Sequence, residues 1–313
     1  PPPPPPPPPP SIILPPPPRS TLSDDRRQRQ MCIRDRTNSM KSINDSLDPR
    51  GIFTSLFNHQ SLIRQLAKRE VSSRYRGSVM GFFWTLLNPL LMLTVYTFIF
   101  GYVFKARWGE MNLGDGGFAL TLFCGLIVHG MFAECVNRAP TLITGNANYV
   151  KKVVFPIEIL PWVTVYAAFF HALMSLLVLM IFNLIISGSI PITALWLPVV
   201  FIPYIIFLVG CLWLFSALGV YLSDIQQLMG VMTTALLFLS PVFYPISALP
   251  DILQGWIYLN PLTLIMEQSR EIFLWGNQPD FRLLTIYSLV ALAIAVIGFV
   301  WFQKSRRGFA DVL

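Results

Sequence analysis

Three stretches of the chain contain no Asp, Glu, Lys or Arg: Phe82 to Phe104, Ile159 to Ser187 and Leu283 to Phe302. A helix rises about 1.5 Å per residue, so about 20 residues cross a bilayer core of about 30 Å. Each stretch therefore predicts a membrane-spanning helix. Three further apolar spans are read at about Phe118–Val136, at Leu195–Leu222, interrupted by Pro198 and Pro203, and at about Leu228–Tyr244, which ends near Pro241 and Pro245. The expected fold is all-α and integral to the membrane, with six transmembrane helices. Pro89 sits inside the first span and is expected to kink it, because proline frees the carbonyl four residues back.

Two segments depart from a plain bundle. Ser61 to Arg76 reads as a helix lying on the cytoplasmic surface. Leu62, Ile63, Leu66 and Ala67 share one face, and Arg64, Lys68 and Arg69 lie elsewhere. Glu70 falls on the apolar face, and Arg74 at i+4 is its expected partner. The second segment, Ala248 to Trp275, is too polar to span and too apolar for an ordinary loop. Broken at Asn260-Pro261, it reads as two short helices dipping into the membrane from outside and returning. Such backbone is tolerated only where protein or a water-filled cavity covers it. A hairpin lying on the surface is the alternative, and the pattern leaves both open.

Lys and Arg set the orientation. Lys41, Arg50, Arg64, Lys68, Arg69, Arg74 and Arg76 precede the first span. Arg138, Lys151 and Lys152 follow the second, and Lys304, Arg306 and Arg307 follow the sixth. Only Lys105, Arg107, Arg270 and Arg282 fall on the other side. Both termini are therefore expected in the cytoplasm. Charged residues make up 12% of the chain against 54% apolar, where a soluble domain carries about 25% charged residues. The net charge of +7 flanks the apolar spans, which argues for topology determinants and against nucleic-acid binding. Cys32, Cys124, Cys135 and Cys211 have neither CxxC spacing nor the density of a disulfide framework, so they are read as small packing residues.

Residues 1–39 behave differently. Pro1 to Pro10 is a homopolymer and Pro15 to Pro18 repeats it, a composition that favours polyproline II and buries no core. Gln28 to Arg36 resembles translated adapter sequence. We therefore expect a non-native tail with Met40 as the initiator, no cleavable signal peptide, a cytoplasmic segment over 40–80 and the six-span domain over 81–313.

The spans are nearly empty of catalytic chemistry. His129 and His171 read as isolated, no HExxH or GxSxG occurs, and no metal site is expected. Glu134 sits at the cytoplasmic end of the second span with Arg138 at i+4 as its expected partner. No carboxylate lies where an ion-coupled carrier needs one. If the chain transports, its energy comes from elsewhere. It has no Walker A sequence GxxxxGK[ST], so any ATPase is a separate polypeptide docking on cytoplasmic surfaces. The candidate dock is the loop from Arg138 to Pro161, in which Thr141 to Val150 could form one or two short helices. Anchoring of Lys151 and Lys152 to anionic lipid is the competing reading.

Leu66 to Phe104, LAKREVSSRYRGSVMGFFWTLLNPLLMLTVYTFIFGYVF, closely resembles the start of permease subunits of ABC type-2 exporters, in the subgroup that carries O-antigen, capsular polysaccharide and teichoic acid. NANYVKKVVFPIEILP (Asn146–Pro161), YLSDIQQL (Tyr221–Leu228) and FLSPVFYPISALP running into LNPLTLIMEQSRE (Phe238–Glu271) agree in order and position. The resemblance covers Leu62 to Arg307. Ser223 departs from it, because a basic residue is usual before the aspartate that is Asp224 here.

The resemblance implies a permease in the bacterial cytoplasmic (inner) membrane, working as a homodimer with two copies of a separate ATPase that holds ATP and Mg. It implies no cofactor in this chain and a lipid-linked glycan as substrate. It places ATPase coupling at Thr141, Asn146, Asn148, Tyr149, Lys151 and Lys152, an interface helix bearing Arg64, Lys68, Arg69, Glu70 and Arg74, and an external gate including Trp256, Tyr258, Asn260, Pro261, Glu267 and Arg270. Aromatic rings stack on sugars without fixing a register, so Tyr96, Phe100, Phe238, Phe243 and Tyr244 are the candidate conduit residues; core packing is their alternative. Rival readings are an ABC type-2 drug or lipid exporter and a membrane-embedded glycan-processing enzyme.

Overall fold

The computed structural model describes residues 51–104, 117–151 and 155–313. Met40, Lys41, Arg50, Lys105, Arg107 and Lys152 lie outside them, as does the proline-rich tail. Every element among the described residues is helical. Two helices, α1 (Gly51–Asn58) and α2 (Gln60–Tyr75), precede the first long apolar helix, α3 (Gly81–Val103). Then come α4 (Gly117–Arg138), the short α5 (Ala147–Lys151), α6 (Leu160–Ser187), α7 (Leu197–Tyr221) and α8 (Ile225–Leu239). The chain ends with α9 (Asp251–Ile257), α10 (Pro261–Phe273), α11 (Phe281–Ser305) and α12 (Phe309–Val312).

Five of these helices, α3, α4, α6, α7 and α11, with their flanking turns, are long and apolar enough to cross a membrane. The fifth expected span is different. It was expected over Leu228–Tyr244, and its helix is Ile225–Leu239, 15 residues long. At about 1.5 Å per residue that is about 22 Å, short of the bilayer core. The helix starts earlier because Gln226 and Gln227 are ordinary helix formers following Asp224. It stops at Leu239 because Ser240 precedes Pro241, and proline pushes the residue before it out of the helical region. Ser240 is accordingly extended.

The second span is the centre of the fold. Its most apolar window is 78% buried, against 6% for the first span. Around α4 pack α6, α10, α8 and α7. The tightest crossing is between α7 and α11. A Cβ added to Gly298 would lie 2.3 Å from the Gly210 carbonyl oxygen, and one on Gly210 would lie 2.7 Å from Ala295 Cα. The backbones thus touch, the use that membrane helices make of small residues where no hydrophobic force drives association. Trp213 fills the core beside this crossing. Its indole donates to the Glu158 carbonyl at 3.1 Å, and its ring meets Phe299 edge-on at 5.0 Å. Tyr204 donates to the Val128 carbonyl at 2.7 Å, so a buried phenol is satisfied by the central helix.

In α3 the helix continues through Pro89 and loosens into a π-helical stretch over Thr97–Val103. Thr94 and Thr97 hydroxyls donate back to the carbonyls of Leu90 and Leu93, at 2.8 and 2.7 Å, so neither threonine hydroxyl is left unpaired on an apolar helix.

Candidate coupling, conduit and gate sites

The surface helix α2 buries the expected stripe. Ile63 is 2% and Ala67 1% exposed, and Arg64, Lys68 and Arg69 face outward. Its charge pairing corrects the expectation from spacing. Glu70 does not pair with Arg74, nor Glu134 with Arg138. Instead Arg138 bonds Glu70, and Arg74 bonds Glu134 at 2.7 Å. Both pairs cross from α2 to α4. An i,i+4 pair contributes only about 0.3–0.5 kcal/mol, whereas the crossed arrangement satisfies the same four charges and also ties the two helices together.

His171 is not isolated either. Its Nδ1 lies 3.0 Å from both Glu134 oxygens, and its Nε2 is 3.4 Å from the Tyr75 hydroxyl. The tautomer with the proton on Nδ1 donates to Glu134 and accepts from Tyr75. Burial raises the Tyr75 phenol above its ordinary range; Arg74 opposes this and Glu134 adds to it. Three helices, α2, α4 and α6, therefore meet at one polar knot.

Next to it lies the expected coupling segment. Two 3-10 turns, Ala139–Thr141 and Thr144–Asn146, lead into α5. Leu142 and Ile143 anchor the segment in the core, and Thr141 and Asn148 are exposed. Asn146 donates to the Leu142 carbonyl at 2.8 Å, and Tyr149 stacks on Phe155 at 4.5 Å. A small cleft of about 240 Å³ joins Arg69 and Glu70 of α2 to Arg138, Asn146 and Tyr149. The two separately predicted cytosolic sites are thus one surface. Lys151 closes α5; Lys152 lies outside the described residues.

On the opposite face, the break at Asn260-Pro261 divides α9 from α10 as expected. Asn260 caps α10, its side chain accepting from the Leu262 N–H at 3.0 Å, and Pro261 takes the first helical position. The same side chain donates to Ser240 Oγ at 2.8 Å, holding α10 to the end of α8. Trp256 and Tyr258 stay exposed.

Arg270, counted above among the external basic residues, is fully buried. Its guanidinium donates to the carbonyls of Thr121 at 3.0 Å and Pro241 at 2.7 Å, and to the Glu267 carboxylate at 2.7 Å. A Cβ on Gly125 would lie 2.6 Å from its Nη2, so a glycine on the central helix makes the room. Nothing in the local sequence marks those carbonyls as partners, and Gly125 alone carried no signal.

Four of the five candidate conduit rings come together. Tyr96 and Phe100 lie 6.4 Å apart, Phe100 and Phe243 6.4 Å, and Phe243 stacks on Phe238 at 5.7 Å. Tyr244 stands off this ribbon, its hydroxyl donating to the Phe238 carbonyl at 3.2 Å. Phe238 remains 62% exposed, so the ribbon runs from half-buried rings packed against the core to an exposed one.

Residues 61–274 match the family described as ABC-2 type transporter. The chain is similar to an O-antigen export system permease protein, RfbA, of Klebsiella pneumoniae, 26% identical over 80% of this chain and 95% of that one. It is similar to the RfbA of Myxococcus xanthus, 27% identical over 82% and 96%. The polysialic acid transport protein KpsM of Escherichia coli is 26% identical over 78% and 93%.

Proposed function

Because the chain belongs to the ABC-2 type transporter family, we propose that it is the membrane permease of an ATP-driven exporter that moves a lipid-linked polysaccharide across the bacterial inner membrane. The glycan is of the O-antigen, capsule or teichoic acid type. The observation that carries the substrate class is likeness to O-antigen export permeases over nearly their whole length. Two copies of the chain pair with two copies of a separate ATPase, which holds ATP and Mg. The 15-residue α8, with the residues that follow it, serves as a sixth span, and both termini face the cytoplasm.

The geometry supports a route for the mechanical signal. The ATPase docks on the surface shared by α2 and the Thr141–Lys151 segment, where Tyr149, Asn146 and Glu70 line one cleft. Closure of the ATPases moves that surface. Arg138, bonded to Glu70, ends α4, and Thr121, which accepts from Arg270, lies toward its other end. One packed helix therefore runs from the cytosolic dock to the arginine that holds α10. Displacing α4 shifts the support of α10, and α9 and α10 act as the external gate. The ribbon of Tyr96, Phe100, Phe243 and Phe238 gives sliding contact to sugar faces.

Deleting the gene from its host tests this reading. Lipid-linked glycan accumulating inside the cell is the expected result. Altered drug sensitivity with normal surface glycan points to a drug or lipid exporter instead, and glycan turnover by the purified chain without an ATPase points to an enzyme.

A further inference from the structure

A cleft of about 710 Å³ opens between α2, α3, α4 and α6, at the Tyr96 end of the aromatic ribbon. Arg74, Glu134 and His171 line one part of it. Tyr96, where the aromatic ribbon begins, lines another. Trp84 and Asn88 contribute to the wall from α3, and the Trp84 indole is held by donating to Ser78 Oγ at 3.0 Å.

The charges in this cleft are already matched, since Arg74 and Glu134 pair with each other. What remains is a mixed set of donors and acceptors beside aromatic walls. Asn88 is the informative residue. It is exposed, it lies in an apolar span, and its amide has no hydrogen-bond partner among the described residues. A primary amide has two donors and an acceptor oxygen, and here all of them are free to meet a molecule in the cleft.

Three kinds of occupant fit such a cleft differently. An alkyl chain leaves the Asn88 amide unpaired. A phosphate meets the Glu134 carboxylate, with a single guanidinium already committed to that carboxylate. A neutral, hydroxyl-rich ring suits both ends. Its hydroxyls donate to Glu134 and the Asn88 oxygen and accept from Arg74 and the Asn88 amide, and its C–H faces lie on the negative faces of Trp84 and Tyr96. The volume is within the range of small-molecule sites.

We propose that this cleft, inside a single copy of the chain, binds the glycosyl head of a membrane amphiphile. The inference rests on the exporter reading only for the source of that sugar.

The test uses the full chain in phosphatidylcholine nanodiscs and an octyl glucoside bearing a diazirine on its alkyl tail. Labelling should fall on peptides containing residues 84–96 and 123–127, and free octyl glucoside should compete where octyl phosphate does not. Asn88→Leu should cut labelling about tenfold, the effect of losing hydrogen bonds to the sugar. Its melting temperature should stay unchanged, because the amide has no partner to lose. Asn88→Gln should recover part of the labelling. Equal competition by octyl phosphate, labelling elsewhere only, or full labelling of Asn88→Leu overturns the assignment. If the cleft is unlabelled while the gene's deletion still traps glycan, the cleft assignment alone falls. If the cleft is labelled and deletion leaves surface glycan normal, the exporter reading falls and the sugar site stands.

Discussion

Glu70 on the surface helix bonds Arg138 at the end of the second span, although Arg74 stands one turn away on its own helix. The same exchange gives Arg74 to Glu134 at 2.7 Å. Four charges that spacing assigns to two local pairs thus form two bridges between elements.

Breaking that bridge has a defined consequence. Both side chains of the Glu70–Arg138 pair are more than a third exposed, so Glu70→Gln should cost only about 0.5–1 kcal/mol of thermal stability. Its effect on coupling should be larger, with ATP hydrolysis continuing while export falls several-fold. The charge-swapped double variant, Glu70→Arg with Arg138→Glu, should recover export. Equal export by the single variant and wild type would remove the bridge from the route.

Arg270 is expected to behave differently because it is buried. Arg270→Met leaves the Thr121 and Pro241 carbonyls and the Glu267 carboxylate without their donor. Removing one partner of a buried ion pair typically costs about 3–5 kcal/mol. The expected result is a large fall in melting temperature in detergent. Gly125→Ala should reproduce part of that fall, since its Cβ would occupy the guanidinium's place. A wild-type melting curve for both would contradict the packing described.

In the proposed ATPase dock, Tyr149→Ala combined with Lys152→Ala should uncouple ATP hydrolysis from export without loss of the protein from the membrane. The Tyr149 ring rests on Phe155, so Tyr149→Phe should keep the stack and retain coupling. Unchanged export by the double variant would exclude this segment as the dock.

Within the ribbon, Phe243 is the joint between Phe100 and Phe238. Phe243→Ala should remove contacts with both neighbours, about 0.5–1.5 kcal/mol each, and slow export several-fold at normal protein levels. Phe238→Ala should leave stability unchanged because the ring is largely exposed. Export unaffected by either would return these rings to core packing.

Much of this architecture is legible in the sequence because apolar length and break residues are local signals. The uncharged run from Ile159 to Ser187 reads directly as α6, and Asn260-Pro261 reads as a cap followed by a first helical residue. The fifth span ends earlier than its apolar pattern, since apolar character continues past Leu239 through Val242 and Phe243 but the helix yields to Pro241. Ion-pair partners were illegible for another reason. Glu70, Arg74, Glu134 and Arg138 each have a plausible partner one turn away, and only the packing of α2 on α4 and α6 decides among them. The burial of Arg270 depends on carbonyls at Thr121 and Pro241, far away in the chain and without any side-chain signature.

The most direct test of the central claim is purification of the chain from its native host in mild detergent, with mass spectrometry of what accompanies it. The account predicts a dimer in which each copy travels with one Walker-motif ATPase subunit. A dimer without any ATPase, under conditions that preserve related exporter complexes, would contradict it.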